Sequence, residues 1–187
     1  MKTKRVVVVP YDETWADDFK KIRDEVQKAL GGLALQIEHV GSTSVPGLSA
    51  KPIIDIDVVI KDVSMLQDVI SALAKIGYDH RGDLGIPGRE AFGYEGKEHL
   101  KKHHLYVCAQ DSAELGRHIA FREYLRAHSD SVNEYGRIKE EGASLYPDDI
   151  DKYMEYKAPV IEKIYEKFVI FFRHKTSYMP YDYGILT

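Results

Sequence analysis

The segment Ile53-Ile54-Asp55-Ile56-Asp57-Val58-Val59-Ile60 constrains this chain more than any other. Six of its eight residues are β-branched and Pro52 opens it, a pattern that specifies a buried strand. The two acids stand two residues apart, so on a strand they share one face, about 6.6 Å from each other along the chain. A lone Asp-x-Asp commonly marks a solvated face. Here both flanks read as buried, and carboxylates in such a setting are costly unless a ligand, a cation or a basic neighbour compensates them.

The elements around this strand follow from periodicity. Val6–Val9 reads as a short strand stopped by Pro10. Asp12 then caps a helix carrying Trp15, Phe19, Ile22, Val26 and Leu30, which ends at Gly31-Gly32. Leu35–Val40 reads as a strand running straight into Gly41-Ser42-Thr43-Ser44-Val45-Pro46-Gly47, a tight turn of small residues. Ser64 caps a helix that turns Leu66, Val69, Ile70 and Leu73 inward and closes at Gly77. Five glycines and a proline between Gly82 and Lys97 predict a loop or irregular hairpin, with 89–94 as a short strand. His103–Ala109 predicts a further strand. Helices follow over about 111–128, 131–145 and 149–173, the last kinked or restarted at Pro159, and an irregular tail begins at Thr176.

The expected fold is therefore α/β (α+β), one domain over 1–187 without repeat or linker. It combines a mixed sheet (1–110), a helical part (111–175) walling one side of a cleft, and a tail (176–187). The central strands are expected to be Leu35–Val40, Ile53–Ile60 and His103–Ala109, with helices chiefly on one face. A net charge of −4 supplies no overall basic field, which argues against nucleic acid as a partner. The N-terminal apolar run is too short for a signal segment and no stretch is long enough to span a bilayer, so a cytoplasmic protein with no membrane partner is expected. Cys108 is alone, which excludes an internal disulfide and leaves it as core filling.

Gly41-Ser42, twelve residues, then Asp55-Ile56-Asp57 is the constellation with chemistry in it. A Gly-Ser turn at a strand end lets backbone N–H groups and a hydroxyl approach phosphate oxygens. Asp55 and Asp57 can close on a hard divalent cation, Mg²⁺ or Mn²⁺, that also meets substrate phosphates. Lys51 adds a cation between the two. Phosphoryl or nucleotidyl transfer needs these parts: positioning and charge neutralisation, with no protein nucleophile.

The run from Glu38 through Asp57, Glu-His-Val-Gly-Ser-Thr-Ser-Val-Pro-Gly-Leu-Ser-Ala-Lys-Pro-Ile-Ile-Asp-Ile-Asp, resembles the hallmark of the GrpB family. The resemblance extends over Pro10–Trp15, Arg89, His103–Val107, Phe121–Arg126, Tyr153 and Lys157. Members of that family are predicted nucleotidyltransferases related in fold to DNA polymerase beta and kanamycin nucleotidyltransferase. It implies phosphate binding at Gly41, Ser42 and Thr43, and metal ligation by Asp55 and Asp57. Enzymes of that wider group usually place a third carboxylate on a neighbouring strand, whereas His103-His104-Leu105-Tyr106-Val107 has none.

A histidine could stand in as ligand or base. His103 and His104 point to opposite faces, and His104 is chosen because 103, 105 and 107 should face the core. His39 reads as packed and hydrogen-bonded to backbone. Lys157 falls on the apolar stripe of its helix, where a lysine either snorkels or meets an anion; the family resemblance favours phosphate. Arg89, behind Pro87-Gly88, is a phosphate candidate on a loop, and Arg122 reads as the partner of an acid in the helical part. Ser42, Lys51, Arg89 and Lys157 are expected to surround one anion site. The resulting expectation is metal-dependent nucleotidyl transfer from a nucleoside triphosphate to a small acceptor. The alternative is an inactive nucleotide-binding or assembly module of the same fold.

Overall fold

The computed structural model describes residues 5–175, with side chains through 167; the expected irregular tail lies outside them. In chain order the elements are α1 (Thr14–Leu30), β1 (Gln36–Val40), β2 (Ile54–Ile60), α2 (Leu66–Ala74), β3 (Tyr78–His80), β4 (Glu90–Tyr94), β5 (His103–Ala109), α3 (Ala113–Ala127), α4 (Ser129–Leu145) and α5 (Ile150–Lys175). The five strands form one sheet in the order β1-β2-β5-β4-β3. β2 and β5 pair in parallel, and the other three pairings are antiparallel.

Alternation along β2 and β5 sorts the sheet into two faces. Ile54, Ile56, Val58, Ile60, Leu105 and Val107 join Trp15, Ile22 and Val26 of α1 and Val69 and Leu73 of α2 in the main core. On the opposite face stand Asp55, Asp57, His104 and Tyr106, the acids paired in register with the latter two. Only the far end of that face is apolar, where Val59 and Cys108 pack against Leu115. A second core, Val45, Leu48, Tyr124, Leu125, Tyr135, Val160 and Ile164, fastens the helical part to the segment after the Gly-Ser turn. Gly142 permits a close α4–α5 approach, since a Cβ there would lie 2.9 Å from the Tyr156 ring.

Several local expectations need correction. β1 is an edge strand, because β4 and β3 extend the sheet on the other side of β5. Helices cover both faces: α1 and α2 take one, and α3 lays Leu115 on the other. Of Val6–Val9, Val9 alone forms a bridge, with Ala50, and Val6 is buried. Asp62, and not Ser64, supplies the cap before α2, its Oδ1 accepting from the Ser64 N–H at 2.9 Å. α5 continues past Pro159 without restarting.

Candidate active site

Gly41 ends β1 at φ +68, and a Cβ there would collide with Asp55 Oδ2. Glycine is required on both counts, and its absence of side chain seats Asp55 directly under the turn. Ser42–Ser44 form a 3₁₀ turn, with Ser44 Oγ donating to the Gly41 carbonyl at 2.6 Å. One cleft is lined by Ser42, Thr43, Lys51, Asp55, His104, Lys139, Tyr153 and Lys157. Four elements far apart in sequence thus converge on Asp55: the turn, β5, α4 and α5.

Three of these residues are lysines, and their charges act on one another as well as on Asp55. Lys157 lies 5.2 Å and Lys51 5.9 Å from the Tyr153 ring centroid. Burial first, and Lys51 next, draw the Lys157 amine down to about 8. Lys139 goes further: it is 2% exposed, its Nζ has no hydrogen-bond partner, and burial and its lysine neighbours lower it well below the ordinary range. Lys97 is also buried, yet it pairs with Glu25. A buried amine that lies over the Tyr135 ring without a hydrogen-bond acceptor, beside two other lysines and a carboxylate, suits a cleft that takes up an anion.

The two aspartates have different surroundings. Asp55 opens to the cleft, and His104 Nδ1–H donates to its Oδ1 at 2.8 Å. Asp57 is fully buried outside the cleft wall, and His118 Nδ1–H of α3 donates to its Oδ2 at 2.7 Å. Burial raises Asp57, and His118 opposes that rise in part. Burial likewise works against a charged His118, but Asp57 outweighs it, so the pair holds its proton firmly. Asp57 Oδ1 is buried with no partner. The expectation that both acids point into the cleft is corrected accordingly.

Arg89 does not join Ser42, Lys51 and Lys157. Its guanidinium lies over Tyr106, 4.3 Å from the ring centroid, on the other side of the acid pair. Arg122 bonds Glu38 Oε2 (2.7 Å) and the His39 carbonyl (2.9 Å) of β1, so its partner lies on the sheet as well as at Glu123. His39 stacks on Phe19 and meets the Thr43 hydroxyl at 2.9 Å, a side-chain contact in place of the expected backbone one. His103 faces the core, bonded to Tyr78.

Sequence reasoning missed Lys139 and His118. Lys139 continues the buried α4 stripe Val132, Tyr135, Gly136, and His118 falls between Leu115 and Leu125 at helical steps. The stripe argument applied to Lys157 would have found both.

A family model described as GrpB protein matches residues 5–167. The chain belongs to the GrpB family. It is 32% identical over 154 residues to the UPF0157 protein YqkA of Bacillus subtilis, covering 82% of this chain and 44% of that protein. The chain thus spans less than half the length of that relative. The crystal structure of conserved protein GrpB from Enterococcus faecalis matches with a TM-score of 0.79 at 34% identity, over 89% of this chain and 99% of that one. A MgGTP-bound structure of the Cid1 poly(U) polymerase matches with a TM-score of 0.52 at 9% identity, over 73% of this chain and 44% of that one. At that identity the likeness is one of fold, and the fold is nucleotidyltransferase-like. Among the described residues no helix is long and apolar enough to cross a membrane.

Proposed function

We propose that this chain, acting as one domain, transfers a nucleotidyl group from a nucleoside triphosphate to a small acceptor. One observation carries the reading: three lysine amines and the Ser42-Thr43 turn converge on a cleft floored by Asp55, with the Lys139 amine buried and unpaired. The β- and γ-phosphates would lie along Ser42, Thr43, Lys51, Lys139 and Lys157, with Gly41 leaving room for the backbone to approach. The α-phosphorus would then stand over Asp55.

Among the described residues no three His, Cys, Asp or Glu side chains converge as a metal site. Mg²⁺ needs no such cage, because one or two carboxylates, waters and substrate phosphates complete its shell. The orphaned Oδ1 of Asp57 and the cleft-facing Asp55 fit that requirement. A divalent cation would be held by Asp55 from the cleft and by the orphaned Oδ1 of Asp57 beneath it, and would supply charge that offsets the phosphoryl oxygens. Asp55 holds the His104 Nδ1–H, which leaves Nε2 free to accept the proton of the acceptor hydroxyl. The acceptor oxygen bonds to the α-phosphorus as the bond to the bridging oxygen breaks. Pyrophosphate leaves with that electron pair, neutralised by the lysines.

Calorimetric titration of MgATP and MgUTP onto Asp55→Asn and Lys157→Gln tests this, each expected to weaken binding about 10- to 100-fold. Pyrophosphate release in the presence of candidate acceptors tests turnover. Unchanged binding in both variants overturns the reading. Binding without pyrophosphate release under any acceptor favours a nucleotide-binding module, which the lack of an acid at 104 and 106 on β5 supports.

A further inference from the structure

Arg89 stands apart from the lysine cleft, and its surroundings ask for an anion of their own. Its Nε is buried without an acceptor, and its guanidinium carbon lies over the Tyr106 ring. Among the described residues it forms no ion pair, although Arg81, Arg117, Arg122, Arg126 and Arg137 all do. The loop that carries it is tied down, since Ser112 Oγ donates to the Gly88 carbonyl at 2.9 Å. Asp57 and His118 lie within its electrostatic reach, whereas the three lysines gather at Asp55. The charge layout is thus divided by the acid pair, with ammonium groups on one flank and one oriented guanidinium on the other.

We propose that Arg89, backed by Tyr106, is the acceptor subsite, and that the acceptor is a small molecule bearing an oxyanion, a carboxylate or a phosphate. This rests on the nucleotidyl-transfer reading for the word acceptor. The anion site itself stands on Arg89 alone. A guanidinium held over a ring loses freedom and presents paired N–H donors, which suit oxyanions. An anion held there would keep the rest of its molecule over Tyr106, beside His104, whose ring centroid is 6.3 Å from that of Tyr106. A hydroxyl on the same molecule would thereby reach the proposed base, with the triphosphate on the lysine flank.

The test follows the Arg89 Nε–Hε signal in proton–nitrogen correlation spectra of the wild-type chain, assigned by its loss in Arg89→Lys. Inorganic phosphate and acetate are titrated separately, each with the lysine cleft filled by a non-hydrolysable ATP analogue and Mg²⁺. A saturable shift with either anion is expected, the tighter one naming the acceptor's charged group. Calorimetric affinity for that anion, with the lysine cleft filled in the same way, should fall about tenfold in Arg89→Lys. No shift with either anion, or a shift produced by the ATP analogue itself, overturns the proposal. If the anions move the signal but both Asp55→Asn and Lys157→Gln leave ATP-analogue binding unchanged, the anion site stands and the transfer reading fails.

Discussion

The two faces of β2 and β5 come from the same residues in alternation, yet they obey opposite rules. On the core face Ile54, Ile56, Val58 and Leu105 are each fully buried, and the polar group among them, His103, is neutralised by burial and bonded to Tyr78. On the site face Asp55, Asp57, His104 and Tyr106 face charges supplied by α3, α4, α5 and the β4 loop. The first face holds the fold together. The second gathers like-charged amines and half-satisfied acids at a cost in stability, which is characteristic of a ligand site awaiting its ligand.

The largest effect should come from the core face. Ile56→Ala leaves a cavity between β2 and α1 and should cost about 2–5 kcal/mol in urea unfolding. A loss under about 1 kcal/mol would mean that the face is not close-packed.

Acidification should sharpen the contrast next. Burial lowers His39 and His103 from 6.5 to about 4 in the folded chain. At these two rings the unfolded chain binds more protons below 6.5, and their contribution to stability falls as pH drops from about 6.5 toward 4, opposed in part by His118, whose raised value adds stability in acid. Urea unfolding at pH 7 and pH 5 should differ by about 2–3 kcal/mol, and His103→Gln should remove part of that dependence. Equal stabilities at the two pH values would place a charged partner beside these rings.

The smallest effect carries the opposite sign. Lys139→Met removes a buried unpaired amine, so the variant should gain about 1–2 kcal/mol while losing triphosphate affinity. A destabilised Lys139→Met would show that the amine serves the fold and not a ligand.

The sequence alone determined β2, β5, the Gly-Ser turn and the helical change of character after Ala109, because each rests on local periodicity or on small residues at a strand end. It also put Asp55 and Asp57 on one face and separated His104 from His103, since alternation along a strand is a local rule. Packing decided the rest. Only the pairing order β1-β2-β5-β4-β3 made β1 an edge and carried Arg89 to Tyr106, away from Lys51 and Lys157. Only the seating of α3 sealed Asp57 beneath His118, and only the second core brought Lys139 and Lys157 to the Gly-Ser turn. Contacts across 49, 61 or more than a hundred residues depend on which faces bury against one another, and periodicity within a single element carries no record of that choice.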